Sequence, residues 1–145
     1  MNRRKIKKVL DLKGFTKKQL EIELRKSKDE LEIENARLDS TIHLFEKTIA
    51  EFNRKQNEGF KNALELDFFY SYFSHLNKLV DQQTLSVKKR LMEVELNQKA
   101  LLNSHREKRL CEILHDKILH EEMKLTSKVE QKEIDFNFIS RGKRR

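Results

Sequence analysis

The side chains best equipped for chemistry gather in one stretch: Cys111, His115, His120, Glu121 and Glu122. Imidazole, thiolate and carboxylate are zinc's usual ligands, and two histidines on one helix bind it together when they sit at i and i+4. His115 and His120 are five residues apart, so a helix turns them away from each other. Cys111 is the chain's single cysteine and has no histidine beside it in sequence to take its proton. It reads as filler in an apolar stripe rather than as a nucleophile. With 3 Gly and no Pro, no Gly-rich phosphate loop is present either. A long thin chain offers no concave pocket for a substrate. The expectation is a non-enzymatic protein with no catalytic residue, no metal and no cofactor.

Two other features rise above the background. Residues 64–80 are crowded with Leu64, Leu66, Phe68, Phe69, Tyr70, Tyr72, Phe73, Leu76, Leu79 and Val80. A two-helix seam buries about two residues in seven, so this stretch carries a surplus. Tyr72, Leu76, Leu79 and Gln83 form a strip at i, i+4, i+7 and i+11, offset from the Phe73/Val80 track. It is either a swollen tip packed on Phe52, Phe60 and Leu64 or an exposed partner-binding surface. The second feature is charge at both ends. Residues 1–20 hold eight Lys/Arg and one Asp, and the last nine residues add four more cations. The formal net charge is +8. Arg3, Arg4, Lys5, Lys7, Lys8, Arg141, Lys143, Arg144 and Arg145 would form one basic pole, suited to an acidic protein surface, nucleic acid or an anionic membrane. Aromatics interleaved as in a single-strand groove are missing from it.

Positioning these residues falls to helices. Charged residues make up 39% and apolar ones 37%, with almost no turn formers, which argues against sandwiches, barrels and Rossmann units. Leu24, Leu31, Leu38, Phe45 and Phe52 recur every seven residues, and Lys28, Asn35, Ile42 and Ile49 read as their companion track. Phe73, Val80, Val87, Val94 and Leu101 make a second track, flanked by Phe69, Leu76, Gln83, Arg90 and Asn97. The two predict an all-α antiparallel coiled-coil hairpin. Pairing Leu24 with Leu101 through Phe52 with Phe73 centres the turn at 62–63, where Asn62-Ala63-Leu64-Glu65 offers an N-cap. A slide of one heptad instead centres it on Gly59 but opposes Lys28 to Arg90.

The domain expectation is therefore a single coiled coil over 1–145. Its first helix covers about 4–58, its turn about 58–64, its second helix about 64–139 and its basic tail 140–145. Near Gly14 the chain either restarts, with Thr16 and Gln19 as a capping box, or runs through in one helix. Beyond Leu101 the stripe through Leu110, Cys111, Ile113, Leu114, Ile118, Leu125 and Val129 slips in phase. The last twenty residues overhang the start of the first helix, bringing both basic ends to the pole away from the turn. One cysteine suits a reducing cytosol. No apolar run reaches the ~18–20 residues of a membrane span, and no apolar core or cleavage site of an export signal follows the basic start.

The pattern resembles the flagellar export protein FliJ family. Lys8-Val9-Leu10-Asp11-Leu12-Lys13 is similar to that family's N-terminal segment. The stretch Tyr72 to Gln83 is similar to the start of its second helix. Glu107-Lys108-Arg109-Leu110 and Glu130-Gln131-Lys132-Glu133-Ile134-Asp135 are similar to its later landmarks. The chain departs from the family at Phe136-Asn137-Phe138-Ile139 and at Gly14. The resemblance implies a coiled-coil hairpin similar to the central stalk of rotary ATPases. It implies a protein whose terminal end enters the export ATPase hexamer, FliI, and promotes ring assembly. It further implies contact with the membrane export gate, FlhA, through Tyr72, Leu76, Leu79 and Gln83. Escort of export chaperones, and a cytoplasmic location peripheral to the inner membrane, belong to the same implication. The rival readings are the stalk of a virulence-type secretion system, a nucleic-acid-binding coiled coil and a general holdase.

Overall fold

A computed structural model describes residues 2–143. Two helices, α1 (Arg3–Glu58) and α2 (Ala63–Lys143), pack against each other as a helical hairpin. Asn2 starts α1: its Oδ1 accepts the Lys5 N–H at 2.9 Å, and its carbonyl accepts Ile6 N–H at 3.2 Å. This satisfies donors that a helix start leaves open. The helix then runs through Gly14 without a break. Thr16 and Phe15 are exposed on its surface rather than forming a cap and staple.

The turn is set by three side-chain and backbone devices. Gly59 adopts φ +94°, a conformation that costs other residues strain, and its N–H returns to the Lys55 carbonyl at 2.7 Å. Asn62 Oδ1 then accepts Glu65 N–H at 2.9 Å, so the N-cap expected at Asn62 is formed. Glu65 reaches back to the Lys61 N–H at 2.8 Å and to Lys55 Nζ at 2.7 Å. The helices end at Glu58 and resume at Ala63, which centres the turn between Phe60 and Lys61.

The chain divides into two compact units, one of Leu20–Ala100 and one of residues up to Gln19 with those from Leu101 onward. In the first, α2 presents the expected pair of tracks. Phe69, Phe73, Leu76, Val80, Gln83, Val87, Arg90, Val94 and Asn97 are buried or half-buried, with Leu76 1% and Val94 5% exposed. In α1 the track Leu24, Leu31, Leu38, Phe45 and Phe52 also faces inward, but its companions differ from expectation. Ser27, Glu34, Thr41 and Thr48 point in, and Lys28, Asn35, Ile42 and Ile49 are exposed.

The reason is local hydrogen bonding. Ser27 Oγ donates to the Leu24 carbonyl at 2.9 Å, Thr41 Oγ1 to Arg37 at 3.1 Å, and Thr48 Oγ1 to Leu44 at 2.7 Å. Small side chains whose hydroxyls are satisfied by their own helix can enter a seam without losing a hydrogen bond. The register follows this phase. Phe52 meets Phe69 as well as Phe73, both at 5.5 Å between ring centroids, and Arg90 bonds Glu30 at 2.9 Å across the seam. The pairing centred at 62–63 is corrected to one centred at 60–61.

Around Phe52 the seam closes on aromatics: Phe60 at 5.5 Å, Tyr70 at 6.0 Å, and Phe45 to Phe73 at 5.7 Å. Mutually tilted rings at these distances pack favourably. Leu64 takes no part in that cluster and is 76% exposed.

In the second unit Ile6 is 1% exposed, and Lys13 Nζ reaches Glu107 at 2.7 Å. The phase slip expected after Leu101 is absent. Ser104, Lys108, Cys111, His115 and Ile118 keep the heptad inward, whereas Leu110, Ile113 and Leu114 are exposed. Polar residues occupy several of the inward positions, which hid the continuity in the sequence.

Candidate functional site

Two surfaces carry the residues that the sequence singles out. The first begins at the tip. Of the strip Tyr72, Leu76, Leu79 and Gln83, Leu76 lies beneath the surface in the seam, and the other three are half-buried at its rim. Gln83 Oε1 is buried with no hydrogen-bond partner among the described residues. Phe68, which lay outside the expected strip, stands 67% exposed and stacks on Tyr72 with ring centroids 6.1 Å apart and planes 7° from parallel. The signal was available: Phe68 is four residues before Tyr72, on the same helical face.

The second surface is the terminal part of α2. Arg3 Nη1 reaches Glu122 at 3.7 Å, which marks where α1 begins beside α2. Past that point every residue from Glu121 to Ile139 is exposed. Met123, Leu125, Val129, Ile134, Phe136, Phe138 and Ile139 all stand in the open, Phe138 at 79%.

Basic residues flank this segment. Arg3, Arg4, Lys5, Lys7 and Lys8 are exposed on the first turns of α1, and Arg141 is exposed near the end of α2. Lys143 closes α2, and Arg144 and Arg145 lie outside the described residues. The two groups do not merge into one pole. Arg3 sits level with Glu122, and Arg141 is nineteen residues further on, about 28 Å at ~1.5 Å per residue. The helix overhang that separates them was expected; the clustering was not compatible with it.

Titration behaviour is governed by ion pairs along the seam edges. Glu107, first by its hydrogen bond and then by its charge, holds the Lys13 ammonium above the ordinary lysine range. Lys55 and the Lys61 amide hold the Glu65 carboxyl below the ordinary carboxylate range. Neither is near a cleft. His115 lies half-buried, 3.7 Å from Asp116, and His120 is exposed. Among the described residues, no three His, Cys, Asp or Glu side chains cluster as a metal site. No described helix is long and apolar enough to cross a membrane.

The described residues form a helical hairpin with exposed apolar and basic surfaces, the class of helical hairpin proteins. The family comparison places it more narrowly. Residues 2–140 match the model of the flagellar FliJ protein, nearly the whole length, and the chain belongs to that family. It is a non-catalytic component of the flagellar export apparatus. No curated protein sequence and no solved structure matches it significantly.

Proposed function

We propose that the chain is a stalk and adaptor of the export apparatus. Its terminal end enters the hexameric export ATPase and promotes ring assembly, and the strip on α2 contacts the membrane export gate. Work at that gate fits a cytoplasmic protein held at the inner membrane through its partners, and escort of export chaperones fits the same placement.

One observation carries the reading: the exposed run from Glu121 to Ile139 is apolar on opposite sides. Leu125, Val129, Phe136 and Ile139 continue the seam's heptad phase. Met123, Ile134 and Phe138 fall on the far face at about 100° per residue. A helix that is apolar around its circumference needs surroundings on every side. A ring lumen supplies such surroundings, whereas a single added helix covers only one side. The exposed cations Arg4, Lys5, Lys7 and Lys8 supply attraction to an acidic rim.

The test is ATPase ring assembly and ATP hydrolysis with two variants. One carries Phe136→Gln and Phe138→Gln. The other carries Gln in place of Arg3, Arg4, Lys5, Lys7 and Lys8. Both should keep native helix content and lose stimulation, and the second should be less sensitive to added salt than the parent, because the screened attraction is already gone. Full stimulation by both variants would refute the insertion.

A further inference from the structure

The middle of the seam matches its side chains poorly. With the turn centred at 60–61, Leu31 and Leu38 of α1 lie level with Arg90 and Gln83 of α2, and Val80 and Val87 lie level with Thr41 and Glu34. Each of these large apolar side chains meets a polar one. Gln83 Oε1 is buried with no hydrogen-bond partner among the described residues, which costs the free energy of its lost hydration. Meanwhile Ile42 and Ile49, 37% and 39% exposed, stand beside the seam rather than in it. An open cleft of about 240 Å³, lined by Ile42, Phe45, Glu46, Asn77 and Val80, lies next to Ile42.

Sliding α1 by one helical turn, about 6 Å along α2, removes the mismatch. Leu31 comes level with Val94, Leu38 with Val87, Phe45 with Val80 and Phe52 with Phe73, while polar Asn35 comes level with Arg90. Rotating as it slides, α1 brings Ile42 and Ile49 into the seam opposite Gln83 and Leu76. Thr41 and Thr48 leave it with their hydroxyls still bonded to their own helix. The ion pairs between the helices survive the same step outside the turn. Arg90 holds Glu30 at 2.9 Å, and Glu34 is one turn further along α1. Glu107 holds Lys13 at 2.7 Å with Lys17 one turn on, and Glu122 lies 3.7 Å from Arg3 with Lys7 one turn on. What holds the observed register is the turn: Gly59 at φ +94°, the Asn62 cap on the Glu65 N–H and the Lys55–Glu65 pair all fit a connection centred at 60–61. Turn and mid-seam therefore favour registers one helical turn apart, a conflict between local and global preference that leaves two states close in energy.

We propose that the hairpin is a two-register device in which α1 moves one helical turn along α2, exchanging the Thr41/Thr48 side of its seam for the Ile42/Ile49 side. Packed elements shift past each other in discrete one-turn steps because interlocked side chains have no stable position between them. The turn follows by lengthening α1 and unwinding the start of α2, which releases the Asn62 cap. A partner that binds the two registers unequally shifts their populations, so contact at the terminal end of the hairpin is felt at its turn. The device is a property of the chain itself and holds whichever partner biases it.

The experiment uses the full-length chain with Cys111→Ser and one introduced cysteine on each helix. Leu38→Cys with Gln83→Cys reports the observed register, Leu38→Cys with Val87→Cys reports the slid one, and Leu38→Cys with Val94→Cys is level in neither. A disulfide closes only when its Cα atoms come within about 7 Å, so a one-turn slide decides between the partners. In a thiol–disulfide buffer the first two pairs should both close with helix content unchanged by circular dichroism, and the third should stay reduced. Adding Asn62→Ala and Glu65→Gln, which frees the turn, should speed closure of Leu38/Val87 several-fold relative to Leu38/Gln83. Adding Ile42→Ser and Ile49→Ser instead should slow it several-fold. A Leu38/Val87 pair that closes no faster than Leu38/Val94 leaves a single register and overturns the proposal. So does a Leu38/Val87 pair whose closure neither set of substitutions alters.

Discussion

Lys55 Nζ lies 2.7 Å from Glu65 Oε1, so the last turn of α1 is tied to the first turn of α2 across a four-residue connection. Glu65 also accepts the Lys61 N–H at 2.8 Å. The ammonium and the amide both favour the charged carboxylate and hold it below its ordinary range. A depressed carboxylate contributes stability that is present above the unfolded-state pKa and is lost as pH falls through the folded one. Glu65→Gln should therefore lower the unfolding midpoint at pH 7. The gap between variant and parent should close in acid, below the ordinary carboxylate range. Midpoints of both chains across that range check this; a gap that does not narrow contradicts it.

Gly14, inside α1, and Gly59, in the turn after it, should respond in opposite directions. A Cβ at Gly14 meets nothing within 4 Å, so Gly14→Ala should stabilise by about 1 kcal/mol through helix propensity alone. Gly59 has equal room, but its φ of +94° is one that L residues adopt with strain. Gly59→Ala should destabilise by about 1–2 kcal/mol. Urea unfolding of the two variants decides both signs.

Seam phase can be read from one adjacent pair. Ser27 is 5% exposed, and Lys28 beside it is exposed. Ser27→Lys should cost about 1–3 kcal/mol through overpacking, whereas Lys28→Ser should stay within about 0.5 kcal/mol. The reverse order would restore the companion track read from the sequence.

Leu76 and Leu85 offer the same contrast on α2. Leu76 is 1% and Leu85 66% exposed. Leu76→Ala should cost about 2–5 kcal/mol, as buried leucines do when they leave a cavity, and Leu85→Ala within about 0.5 kcal/mol. Equal costs in thermal or denaturant unfolding would mean that Leu76 is not at the helix interface.

How far the sequence could be read follows from where apolar residues coincide with the seam. On α2 both tracks carry large side chains in Phe69, Phe73, Leu76 and Val80, so hairpin and phase were legible there. On α1 one track is apolar, and its companion can lie three or four residues on. Ile42 and Ile49 pointed to the wrong choice because they are the larger side chains, whereas Thr41 and Thr48 satisfy their hydroxyls on their own helix and fit inside. Past Leu101, polar Ser104, Lys108 and His115 in the seam resembled a phase slip. Of the gate strip, the spacing showed the face of α2 but not that Leu76 lies under it. Phe68 was visible only as one of many aromatics until its ring was seen stacked on Tyr72. The basic residues were legible; their separation along α2 required knowing that Arg3 stands level with Glu122.

Insertion of the overhanging helix into the ATPase ring is tested most directly by amide hydrogen exchange along residues 121–139, measured on the free chain and on the chain with assembled ring. In the free chain every residue of this segment is exposed, with Arg3 reaching it at Glu122, and its amides beyond that contact should exchange far faster than those around Leu76 and Val94. Adding the ring should slow exchange across 121–139 and in the first turns of α1, leaving Leu64 to Leu79 unchanged. Exchange across 121–139 that stays as fast with the ring as without it would contradict the account.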